Sequence, residues 1–213
     1  MGGRTSGLQI DHLVYGAPDL ATGTDRIEAL LGVRPAAGGK HVGIGTHNAL
    51  IALGEGAYLE IIAPDPDQQA RMRPLPYGLD TLEEPRLLTW AIKALDIEAQ
   101  ASRARAAGID LGPVVPMARE RPDGTRLEWR LTRSPLVVAD GLVPFLIEWG
   151  PGAHPSETAP SGARLVTLRG EHPEPERTAD RLQKAGVTVP LTRGPKPALI
   201  ATLEGVRGAV DLR

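Results

Sequence analysis

Two ionisable side chains sit inside apolar runs: His12 in Leu8–Asp19 (LQIDHLVYGAPD) and Glu60 in Ala57–Pro64 (AYLEIIAP). An imidazole and a carboxylate in strands are costly to bury alone. Placed on neighbouring strands and aimed into one cavity, they could share a metal ion or a proton. His47 lies on a predicted strand between turns and could reach the same cavity. His12, His47 and Glu60 together have the two-histidine, one-carboxylate composition that suits divalent Fe, Mn or Zn with open positions. His47 serves equally well as a substrate-binding or acid/base group. Glu60, between Leu59 and Ile61, must face solvent, a cation or a buried proton. For His12 the commonplace alternative is a strand histidine bonded to a neighbouring backbone group.

Other polar residues read as less central. Asp11 and His12 are adjacent on a strand, so their side chains should point to opposite faces and not form a dyad. His41, between Gly39 and Gly43, reads as a loop residue, and His154 and His172 read as solvated. Arg71 and Arg73, with Arg86 at the start of a later strand, could clamp a carboxylate or phosphate. For Arg71 and Arg73 surface charge is the commoner role. Trp90, Trp129 and Trp149 fall on predicted strands; such residues are usually core, but on a cupped sheet some could line an apolar pocket. Gly43-Ile44-Gly45 is too short for a dinucleotide fingerprint, and no serine sits in a nucleophile elbow.

The elements that must position these residues follow from periodicity. Leu8–Tyr15 alternates as a strand; Leu20–Leu31 is a helix with Gly32 as its stop. Gly38-Gly39 marks a turn, with strands at His41–Gly45, Thr46–Leu53 and, after a hairpin, Tyr58–Ile62. Ala63–Pro85 carries five prolines and no period, which predicts a linker or a flap over a site. The order then recurs: strand Leu87–Ala94 and helix Asp96–Ala107, capped by Asp96 and stopped by Gly108. Strands at Gly112–Arg119, Arg126–Thr132 and Val143–Trp149 follow, with Pro122-Asp123-Gly124 as a turn. Beyond a linker-like Pro151–Gly162 comes an abbreviated third unit: strand Arg164–Arg169, helix Glu174–Ala185, and strands Leu199–Leu203 and Ala209–Leu212. Such repetition predicts an α+β fold of tandem βαβββ modules forming a cupped mixed sheet around a cleft, with a partial βαββ unit after it. The expected division is 1–150, with modules at about 8–64 and 86–150, and 151–213.

Composition narrows the function classes. The 213 residues include 24 Lys and Arg against 26 Asp and Glu, with no basic block, which argues against nucleic acid. Aromatics make up 3%, and no apolar run approaches a membrane span. Without cysteine there is no thiolate ligand or disulfide framework. The first ten residues lack the pattern of a secretory leader, and a cytoplasmic location is the default.

Particular residues resemble the vicinal oxygen chelate superfamily (glyoxalase, dihydroxybiphenyl dioxygenase, bleomycin resistance), in its glyoxalase-like domain branch. They are Asp11–Tyr15 with Pro18-Asp19-Leu20, Leu30-Leu31-Gly32-Val33, Gly45-Thr46-His47-Asn48, Tyr58–Ile62 and Pro85–Ala91. The resemblance implies metal ligands from the first and last strands of each module: His12 and Glu60 in the first. In the second, Thr89-Trp90-Ala91 offers no good ligand, and Glu148 falls one residue late, turned to the other face. It implies a divalent metal (Zn, Mn, Fe or Ni) held by His12, Glu60 and one or two more groups, for which His47 and Glu148 are the candidates this sequence offers. His12, Glu60 and His47 would be catalytic, and Trp90, Arg86, Asn48 and Trp129 would contact a small-molecule substrate. The favoured expectation is an enzyme stabilising an enolate or other oxyanion, by isomerase, lyase or dioxygenase chemistry. The alternatives are a metal-free binding or drug-sequestration protein, and metal-free acid/base catalysis by His12 or His47 with Glu60. The third unit could cap the cleft, extend the sheet or make a homodimer contact.

Overall fold

The computed structural model describes residues 9–69, 72–120, 124–133 and 138–213; Leu8, Arg71 and the expected turn residues Pro122 and Asp123 lie outside them. The first unit is β1 (Ile10–Gly16), α1 (Leu20–Leu31), β2 (Ala36–His41), β3 (Thr46–Gly54) and β4 (Ala57–Pro64). The second is β5 (Arg86–Lys93), α2 (Ile97–Ala106), β6 (Val114–Glu120), β7 (Arg126–Thr132) and β8 (Phe145–Trp149). A short α3 (Pro155–Thr158) precedes β9 (Arg164–His172), α4 (Pro175–Lys184), β10 (Leu191–Arg193), β11 (Ala198–Gly205) and β12 (Gly208–Leu212).

Eight strands curl into a closed mixed barrel in the order β1-β4-β3-β2-β6-β7-β8-β5. Each unit supplies four consecutive staves, with its first and last strands parallel, as in β1–β4 and β5–β8. The units meet antiparallel along β1–β5 and at one ladder position between β2 and β6. The expected cupped sheet is therefore present, curled far enough to close.

The helices begin and end where local chemistry dictates. The Asp19 carboxylate accepts the Thr22 N–H at 2.8 Å, and Asp96 accepts that of Ala99 at 3.0 Å. Gly32 ends α1 in the left-handed conformation, φ 76°, where a Cβ would be strained. α1 buries Ile27 and Leu31 in one large cluster with Leu59 and Ile61 of β4. Fully burying a side chain of this size contributes roughly 1.5–3 kcal/mol.

The second strand departs from the sequence expectation. Gly38 and Gly39 are not a turn: they lie inside β2, where the ladder with β3 shifts register between Ala37 and Gly39. A Cβ on Gly38 would collide with Asn48 Oδ1, so the glycine marks a close approach within a strand. The turn follows at 42–45, leaving His41 as the last residue of β2.

The third unit repeats the element order and gains the three-residue β10, but not the strand order. Its sheet runs β10-β9-β11-β12, with β9 internal rather than paired to the unit's last strand. It packs against α1, β3 and β5, and the Arg213 carbonyl accepts the Leu87 N–H at 2.7 Å. It does not extend the barrel. No helix among the described residues is long and apolar enough to cross a membrane.

Candidate functional site

The site begins with an irregularity in β1. Along β5, Ile10 faces Ile92 and His12 faces Ala91, so Asp11 is the extra residue of a β-bulge. A bulge re-aims the side chain it carries. Contrary to the alternation argument, Asp11 and His12 meet: His12 Nδ1 and Asp11 Oδ1 are 2.7 Å apart. The other carboxylate oxygen accepts Trp149 Nε1–H at 2.8 Å and lies 3.0 Å from His154 Nε2. His154 is thus not solvated. Its Nδ1 accepts the Ser156 N–H at the start of α3, which leaves Nε2 to donate to Asp11. Burial opposes the charge on Asp11, but hydrogen bonds from His12 and His154 outweigh it and hold the carboxyl well below the usual carboxylate range.

Glu60, on β4 beside β1, completes the line. His12 Nε2 is 3.8 Å from Glu60 Oε2, too long for a hydrogen bond, and His41 Nε2 is 4.0 Å from Oε1. Asn48 Nδ2 donates to Oε1 at 2.6 Å. His41 is buried, with Nδ1 2.9 Å from Thr46 Oγ1. Burial, reinforced by the Arg119 cation, pushes its pKa below 6.5 even though Glu60 pulls the other way. Arg119 is itself buried and donates to the Gly38 carbonyl. Tyr58 stacks on His12, ring centroids 4.7 Å apart, and Phe145 meets the same imidazole edge-on at 5.4 Å.

These groups line a cavity of about 740 Å³ inside the barrel. The predicted flap is there: Met72–Gly78 contributes to the lining, with Tyr77 held at φ 59°, a left-handed conformation unusual for a bulky residue. Burial raises the Tyr77 hydroxyl pKa, and the Glu60 charge adds to it.

The family described as "Glyoxalase-like domain" matches residues 10–186. The chain belongs to the glyoxalase-like domain family. No curated protein matches it. Among solved structures, a hypothetical protein from Staphylococcus aureus is similar with a TM-score of 0.63 at 15% identity, over 96% of this chain and 84% of that one. Methylmalonyl-CoA epimerase from Mycobacterium tuberculosis gives 0.41 at 21% identity, over 68% of this chain and 88% of that one. A hypothetical protein from Bacillus halodurans gives 0.43 at 13%, over 70% and 97%.

In this glyoxalase-like protein the residues singled out from sequence divide into two groups. His12, Glu60, Asn48 and Trp129 line the cavity. His47 does not: Thr46 and Asn48 on either side of it face inward, and strand alternation turns it away. Trp90 is core, with its Nε1–H donated to the Leu142 carbonyl at 2.9 Å. Arg86 is exposed and outside the lining, and Glu148 turns to the far face, where it pairs with Arg130. Asp11, His41 and His154 were weighed from sequence and set aside, and Tyr58 and Arg119 were not weighed individually.

The donor set does not fit a metal centre shared between the two modules. Aligning the capping residues Asp19 and Asp96 sets His12 level with Thr89. Glu60 lies opposite Val14 in the ladder, and the matching position in β5, Ala91, lies opposite Phe145. The second module therefore offers a hydroxyl and a phenyl ring where His12 and Glu60 stand in the first. Among the described residues no group of three or more His, Cys, Asp or Glu is arranged to hold a metal ion.

Proposed function

We propose that this protein is an enzyme that moves a proton on a small organic molecule. His12 is the base, Asp11 positions it, and Glu60 is a second proton-handling group. The reading rests on one line of contacts: Asp11 Oδ1 at 2.7 Å from His12 Nδ1, and His12 Nε2 facing Glu60 Oε2 across 3.8 Å. A carboxylate on Nδ1 fixes the tautomer that presents Nε2 as an acceptor and stabilises the imidazolium formed when it takes a proton. A substrate atom about 2.8 Å from both Nε2 and Oε2 would span the gap without moving either. His12 would take the proton from a carbon next to a carbonyl, leaving its electron pair delocalised onto the carbonyl oxygen. The guanidinium of Arg119, buried among the same lining residues, supplies a positive field for that charge.

The test is deuterium exchange into small carbonyl compounds, followed by proton NMR after treatment with a chelator. Wild-type exchange should fall about 10²–10⁴-fold in both His12→Gln and Glu60→Gln, with the fold intact by circular dichroism. Exchange undiminished in both variants would remove the reading.

A second reading, ligand binding without chemistry, is favoured by Thr89 and Phe145 in place of second-module donors. In that case ligands would raise the melting temperature with no exchange, and Glu60→Gln would weaken binding.

A further inference from the structure

Building on the proton-transfer reading, we infer that the ligand is an amphipathic carboxylate: an apolar or aromatic body carrying one carboxylate group, held at the flap by Arg73 and Arg133. The cavity has an uneven charge. Among the described residues its lining holds three guanidinium groups, on Arg73, Arg119 and Arg133, against a single carboxylate, Glu60. Glu60 is already tied to Asn48, and Arg119 to the Gly38 carbonyl.

Arg73 and Arg133 are different. Neither has a carboxylate partner among the described residues. Among the described residues the Arg133 guanidinium donates to Met72 Sδ, 3.7 Å from Nη1, and Met72 is the residue beside Arg73. Two guanidinium-bearing residues of the lining, Arg73 on the flap and Arg133 beside Met72, thus have no carboxylate partner among the described residues. Elsewhere on this chain some arginines are paired, Arg34 with Asp25, Arg130 with Glu148 and Arg169 with Asp211, and the exposed Arg86 and Arg103 are not among them; what sets Arg73 and Arg133 apart is their place in the cavity lining.

Guanidinium groups bind carboxylates through two parallel hydrogen bonds, and partial exclusion from water strengthens them. The remainder of the lining is apolar: Ile44, Ile62, Leu131, Trp129 and Phe145 suit a hydrocarbon or aromatic body. The volume lies in the range that encloses a drug-sized molecule, about 300–1,000 Å³. The ligand would be oriented with its charge at the arginine pair and a reactive carbon near His12.

The test compares 4-phenylbutyrate, its neutral amide and the corresponding amine by isothermal calorimetry on the full chain. The carboxylate should bind about tenfold or more tighter than the amide, and the amine weakest. That preference should disappear in the Arg73→Gln/Arg133→Gln double variant and survive in His12→Gln. Each arginine is also changed singly, so one folded variant suffices. Equal binding of carboxylate and amide, no binding of any of the three, or a preference untouched by the arginine changes would overturn the inference. Failure of the proton-transfer reading looks different: the carboxylate preference would stand while His12→Gln left exchange intact.

Discussion

Asp11 and His12 are consecutive residues of β1, yet Asp11 Oδ1 lies 2.7 Å from His12 Nδ1 because the chain bulges at Asp11. The carboxylate also gathers Trp149 from the end of β8 and His154 from just before α3. One buried anion therefore ties the first module, the second module and the segment leading to the third unit.

Replacing that anion should cost both stability and orientation. Asp11→Asn keeps the shape but confronts three donors with an amide. The expected loss is about 3 kcal/mol in urea unfolding, in the range for breaking a buried charged network. Wild-type stability should itself fall with acid. A depressed folded pKa gives stabilisation that is full above the unfolded value of 3.8 and lost as pH drops through the folded value, and the variant should lack that loss.

His41 titrates the other side of the site. Its folded pKa lies below 6.5, so between the folded and unfolded values the unfolded chain holds more protons and stability rises with pH. His41→Gln should reduce the slope of the stability profile just below pH 6.5, leaving it unchanged above that pH and leaving in place the loss at lower pH that belongs to Asp11. A slope just below pH 6.5 untouched by the substitution would reassign the titration.

Gly38→Ala tests the close approach of β2 to Asn48. The added Cβ has no room beside Asn48 Oδ1, and overpacking of this kind costs about 1–3 kcal/mol. Because Asn48 Nδ2 holds Glu60, exchange activity should fall more than it does in a Gly54→Ala control, where the Cβ meets nothing within 4 Å but the turn is strained.

His154→Ala removes a donor to Asp11 and the cap of α3. A loss of about 1–2 kcal/mol is expected in denaturant unfolding. If His154 acts on the site through Asp11, the pH profile of exchange shifts in the variant. A purely structural role would lower stability and leave that profile in place.

Much of the architecture was legible beforehand. The two strand-helix-three-strand units follow from apolar alternation, from the capping residues Asp19 and Asp96, and from glycine stops at Gly32 and Gly108. β2 was misplaced because Gly38-Gly39 carries a turn's composition while serving as a bulge. Its true position is what brings His41 to the cavity.

By itself the sequence determined the element order of the two repeated modules, the setting of His12 and Glu60 within apolar strands, and the irregular proline-rich segment between the modules. Those depend on short-range patterns: period, caps and breakers. Only the tertiary structure decided that Asp11 turns onto His12, that His154 joins them from over a hundred residues away, and that His47 and Trp90 face elsewhere. A one-residue bulge or register shift exchanges the two faces of a strand, and both arise from pairing with a partner strand that local sequence does not encode.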